Sequence, residues 1–176
     1  MLQVENTISE MDSVIEVDEY IPLSIEIGDR PAQLLYWRSG NGKNSMLELG
    51  VNPSSGAVQS ITLVSLNQYS IKEGVFFSMG AIDSSNGSVI VDTGLWDLES
   101  GDYADKFVDA FTPEFSVDRG INFVQLHFSA EEQTARQIRN NDIVFGLSAN
   151  NMLLSVAVVA LTSQQLAVFD SCVPIT

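Results

Sequence analysis

Apolar and polar residues alternate along this chain in short bursts, with a two-residue period that no helix can use. Val14-Ile15-Glu16-Val17, Leu23-Ser24-Ile25-Glu26-Ile27 and Met46-Leu47-Glu48-Leu49 show it, as do Ile61 to Leu66 and Ile121 to Phe128. Successive strand side chains point to opposite faces, so each burst describes a strand with one face buried. Turn signals separate the bursts: Gly28-Asp29-Arg30-Pro31, Ser39-Gly40-Asn41-Gly42, Asn52-Pro53-Ser54-Ser55-Gly56, Asn86-Gly87, Asn140-Asn141 and Asn150-Asn151. The expected class is all-β, or β-rich α+β. Its form would be an antiparallel sandwich of about ten strands with one or two short helices.

Helical signals are few. Ser129-Ala130-Glu131-Glu132 has the capping-box spacing and could open a short helix toward Arg139, a strand pair with a polar loop being the alternative. Thr162-Ser163-Gln164-Gln165-Leu166 can cap a final turn or two, and Tyr103 to Phe111 fits neither period. With 176 residues, 45% of them hydrophobic, the chain reads as a single domain, 1–176, with a substantial core. Within it, Val58 to Leu66 aligns with Leu153 to Leu161, and Leu47 to Val51 with Ile143 to Leu147. Pro22 to Arg30 faintly echoes Pro113 to Arg119. Two explanations stand: the common look of amphipathic hairpins, or a duplication giving similar halves, roughly 20–69 and 111–166.

Charge narrows the partners. Eight Lys and Arg against 23 Asp and Glu leave a net charge of −15, which repels phosphate backbones and anionic bilayers. Neither a nucleic acid nor a membrane is expected as partner. The start, MLQVENTISEMD, lacks a secretion-signal pattern, and Met152 to Leu161 is about half the length of a membrane helix. A lone Cys172 cannot form an internal disulfide. A cytoplasmic location is the expectation.

The residues offer little catalytic chemistry. His127, the single histidine, lies in an alternating strand with no serine elbow beside it, and reads as structural. Cys172 has no neighbouring cation to activate it. One His and one Cys cannot close a zinc site unaided, and Asp97 to Asp102 lacks the donor spacing of a calcium loop. Gly40-Asn41-Gly42-Lys43 does not make a phosphate loop. The chain is therefore read as no enzyme, with no cofactor, no metal and no catalytic residue.

The acids are grouped. Glu5 to Asp29 holds eight acids and no base, and Asp92 to Asp118 holds eight more against Lys106. The second group interleaves Trp96, Tyr103, Phe107 and Phe111. Carboxylates steer a basic partner while a large aromatic ring anchors it, so a binding face for a cationic protein is expected. Its residues would be Trp96, Asp97, Glu99, Asp102, Tyr103 and Asp105, with Glu16, Asp18 and Glu19 as a second contact.

One succession carries a resemblance. Leu95-Trp96-Asp97 is followed by Asp109-Ala110-Phe111, the strand Ile121 to Phe128, and Asp142-Ile143-Val144-Phe145-Gly146-Leu147. An Asn-Asn turn, Leu153 to Leu161 and Thr162 to Leu166 complete it. This order resembles immunity proteins of bacterial contact-dependent growth inhibition and related polymorphic toxin systems, over roughly residues 45–69 and 90–169. The resemblance implies an inhibitor that binds a cognate toxin's C-terminal domain, often a basic nuclease, and blocks its active site. It carries no catalytic signature. A carbohydrate- or small-ligand-binding β-sandwich, using Trp37 and Trp96 as exposed platforms, is the rival reading, although Leu34-Leu35-Tyr36-Trp37-Arg38 places Trp37 in a core pattern. A hydrolase with paired carboxylates is third.

Overall fold

A computed structural model describes residues 1–29, 31–67, 70–71, 83–97, 107–109, 115–129 and 133–172. The protein is a β-sandwich, with one short helix among the described residues. The first half supplies β1 (Val4–Ile8), β2 (Ser13–Glu16), β3 (Leu23–Ile27), β4 (Leu35–Gly40), β5 (Met46–Val51) and β6 (Val58–Ser65). Short pieces follow: β7 (Ser70–Ile71), β8 (Asp83–Asn86), β9 (Ser88–Val91) and β10 (Phe107–Asp109). The second half supplies β11 (Ser116–Arg119), β12 (Val124–His127), β13 (Arg136–Asn140), β14 (Ile143–Leu147) and β15 (Leu153–Val158), then the helix α1 (Ser163–Ser171).

These strands form a six-stranded sheet, β10-β4-β5-β6-β3-β2, and a seven-stranded sheet, β7-β11-β12-β15-β14-β13-β8. Read from its other edge, the second sheet repeats the first strand for strand, from β8-β13-β14 to β15-β12-β11. Even the parallel edge strand recurs, β10 beside β4 and β8 beside β13. In this order β3 corresponds to β12 and β2 to β11. The echo of Pro22–Arg30 in Pro113–Arg119 would instead set β3 against β11, and so does not follow the strand order.

One detail is shared at atomic level. Gly50 pairs with Ser60 and Gly146 with Ser155, and a bulge follows each glycine. A Cβ on either glycine would overlap the opposing serine hydroxyl. Both positions therefore need a residue without a side chain.

The inner faces meet in one core. Ile25, Leu49, Ile61 and Leu63 of the first sheet join Leu126, Phe145, Val156 and Val158 of the second. Trp37 meets Phe128 edge-on across the gap, with ring centroids 5.5 Å apart. The ribbon of β1 and β9 closes one end, bonding to both hairpin turns: Val91 N–H donates to the Gly56 carbonyl, and Val4 N–H to that of Asn151. The helix closes the other end with Leu166 and Phe169 buried, and Arg119 bridges to Asp170 at 2.7 Å.

Local chemistry explains the helix. Thr162 accepts the Gln165 N–H and the Gln165 side chain reaches back to the Thr162 N–H, a complete capping box. Of the other helical signal, Ala130 to Glu132 lie outside the described residues, and the segment toward Arg139 takes the strand alternative. Arg136 to Asn140 is the strand β13, because its backbone is paired on both sides, by β14 and β8. The described residues hold fifteen strands rather than about ten: β7, β8 and β10 are short edge pieces without clear alternation, and β1 and β9 form a separate two-stranded ribbon.

Candidate protein-binding face

Strand register lays out the outer face of the six-stranded sheet. One row crosses Val14, Glu26, Ser60, Gly50, Tyr36 and Phe107. The next crosses Glu16, Ser24, Thr62, Glu48, Arg38 and Asp109. Four carboxylates thus share two rows with one cation. That cation is engaged: Arg38 bonds Glu48 at 2.9 Å and lies 4.0 Å from the Phe107 ring centroid, while Phe107 stacks on Tyr36. The corresponding rows of the seven-stranded sheet carry Asp118 against His127 and Arg139, with Gln125, Ser155 and Gln137 between them. Among the described residues, negative charge is concentrated on the first sheet. All eight acids from Glu5 to Asp29 are exposed.

The turn from β2 to β3 lies at one corner of this sheet, joining its edge strand to the next. Asp18 accepts the Tyr20 N–H on Oδ1 at 2.7 Å, and the Asp18 N–H donates to the Ile21 carbonyl. This short-range bonding turns the Tyr20 side chain outward, where it is 88% exposed. Ile21 and Val64 are exposed near it, Val64 following Leu63, the partner of Leu23. Beside Tyr20 lies a cleft of about 240 Å³, lined by Glu19, Pro22, Asn44, Val64, Leu66 and Cys172 among others. The cleft is assembled from the β2–β3 turn, the end of β6, the β4–β5 turn and the end of α1.

The expected site residues fall in different places. Glu16, Asp18 and Glu19 are exposed and adjacent, and among the described residues none makes an ion pair. Asp97 is exposed. Trp96 is not a surface anchor: it is 4% exposed, part of the core, and its indole N–H donates to the Tyr36 carbonyl at 3.2 Å. A ring buried to that degree has no face to offer a partner. Glu99, Asp102, Tyr103 and Asp105 lie outside the described residues, as does most of the Asp97–Asp102 loop weighed for calcium. Trp96 sits against β4 and Glu16 on β2, four strand spacings apart, or roughly 19 Å. Of the described acids, Glu16 on β2 and Asp109 on β10 stand at opposite edges of one sheet, while Asp118 lies on β11 of the other. Trp37 is also buried, so neither tryptophan forms a sugar platform.

The exposure of Tyr20 was not legible in the sequence, because nothing local marks a tyrosine between Glu19 and Ile21 as outward-facing. Its flanking run of acids was the available signal.

The nucleophile candidates sit in structural roles. His127 Nε2 and Asp118 Oδ2 are 2.8 Å apart, and Ser155 faces His127 on the neighbouring strand. These are the residue types of a hydrolase triad, but Ser155 is 2% exposed and its Oγ accepts from Gln125. A substrate carbonyl has no path to it. The Cys172 thiol has one hydrogen and two backbone carbonyls within reach, Asp18 at 3.2 Å and Val168, one helical turn back, at 3.3 Å. Burial pushes that thiol above its ordinary value, with the Asp18 and Glu19 charges adding to the rise and a hydrogen bond with Ser171 opposing it. Among the described residues no group of three His, Cys, Asp or Glu side chains is placed to hold a metal ion, and no helix is long and apolar enough to cross a membrane.

No protein-family model and no curated protein matches this chain.

Proposed function

We propose that the protein is an immunity-type inhibitor that binds a basic toxin domain on the outer face of its six-stranded sheet and blocks that domain's active site. The observation that carries the reading is the β2–β3 corner. There an almost fully exposed Tyr20 and a partly apolar cleft have Glu19 in the lining and the exposed Asp18 and Glu16 close by along the chain, none of them ion-paired among the described residues. An apolar centre excludes water and a charged rim sets orientation and encounter rate. A nuclease presents the complementary surface, since the Lys and Arg that grip phosphates would meet carboxylates here. Inhibition needs no catalytic group, in keeping with a histidine and a cysteine engaged in structural hydrogen bonds.

The test is binding kinetics against the C-terminal domain encoded by the neighbouring upstream reading frame, over a range of salt concentrations. Association should slow steeply as salt rises, dissociation should change little, and an equimolar amount should abolish toxin activity. Full toxin activity with the protein in stoichiometric excess would overturn the proposal.

A further inference from the structure

We infer that the cleft beside Tyr20 receives one lysine or arginine side chain of the basic partner, an inference that rests on the binding reading above. The lining has two characters. Pro22, Val64 and Leu66 give an apolar wall, while the polar part holds Glu19, the one charged residue of the lining, the exposed Tyr20, and the neutral Asn44, Ser65 and Asn67. That division matches a long cationic side chain, whose methylene stem packs on apolar surface while its charged head stays polar. The ring adds a second attraction, since a cation over an aromatic face is favoured.

Charge complementarity selects this occupant over others. An apolar side chain would strip water from Glu19 without neutralising it, which is costly. A phosphate would meet the Glu19 carboxylate in the lining and the charge of Asp18, which also acts on the lining Cys172. Of the described cations, only Lys43, next to Asn44, adjoins a lining residue in sequence, and it is exposed.

Cys172 reports occupancy because it lines the cleft and is the chain's single cysteine. The experiment follows its alkylation by N-ethylmaleimide, a neutral reagent, in the full chain at low salt, with and without acetylated hexa-arginine amide. Each variant is compared with itself, peptide present against peptide absent. At ten times the dissociation constant the peptide should slow alkylation about tenfold, the inverse of the free fraction. Tyr20→Ala and Glu19→Gln should lose most of that protection, whereas Asp142→Asn, which removes the same charge elsewhere, should keep it. Tyr20 makes too little contact for its removal to threaten the fold.

Absence of protection in the wild type, or equal loss in Glu19→Gln and Asp142→Asn, would overturn the inference, since the second result describes a diffuse field. The two readings fail separately. A toxin domain that binds tightly yet leaves Cys172 alkylation unchanged removes the cleft and keeps the function. Protection by the peptide with no binding of the toxin domain does the reverse.

Discussion

The Cys172 sulfur lies 3.2 Å from the backbone carbonyl oxygen of Asp18, within hydrogen-bond reach and in contact across 154 positions of sequence. That contact sets the last turn of α1 against the β2–β3 turn and makes one wall of the cleft. The helix thus reaches from the end of the second sheet, where Asp170 holds Arg119, to the acidic corner of the first.

The acidic corner should govern encounter with a basic partner. Glu16→Gln combined with Glu19→Gln should lower the association rate and flatten its salt dependence, with little change in thermal stability, because neither side chain is ion-paired among the described residues. Lys43→Gln should act in the opposite direction. Stopped-flow association at several ionic strengths checks both, and identical slopes in all three proteins would show an inert, solvated surface.

Trp96 should behave as core. Trp96→Ala should destabilise the fold by about 3–5 kcal/mol, read as a lower urea midpoint. Protein that remains folded should associate with its partner at the wild-type rate. A variant of full stability that no longer binds would return Trp96 to the interface.

The paired glycines should be intolerant of a methyl group, and for a repairable reason. Gly146→Ala should cost about 1–3 kcal/mol through overlap with Ser155. Ser155→Gly in the same chain should recover part of that loss, as should Ser60→Gly for Gly50→Ala. Purely additive double-mutant energies would mean the hydroxyl overlap is not the cause.

The cap of α1 should matter at a distance. Thr162→Ala should cost about 1 kcal/mol. By loosening the helix it should also speed Cys172 alkylation.

The thiol itself has a defined pH response. Burial raises its pKa from 9.0, so the reactive thiolate is scarcer at pH 8 than in free cysteine, and the alkylation rate should still be climbing above pH 9.0. Glu19→Gln removes one of the charges that oppose the thiolate and should shift the profile down. In denaturing urea the profile should return to that of a free thiol.

Much of the strand framework was legible because alternation is a local property. Ile25, Leu49, Ile61 and Leu126 were placed correctly on buried faces by period alone. The Thr162 cap was legible for the same reason, its bonding partner being three residues away. Arg136 to Asn140 was not, since Arg-Gln-Ile-Arg-Asn has no strong strand preference and becomes β13 by pairing on both edges.

Trp96 shows how the site reading went astray. A tryptophan among acids looks the same in sequence whether the ring faces solvent or core. Its burial depends on the Tyr36 carbonyl, 60 residues away.

What the sequence determined by itself was the β class, the position of α1, the excess of negative charge and its grouping into two stretches, all properties of neighbours along the chain. The tertiary structure alone decided which acids share a face, that Trp96 is interior, and that a cleft opens beside Tyr20. Each of those depends on strand register and on contacts across more than fifty residues, where no local pattern carries the information.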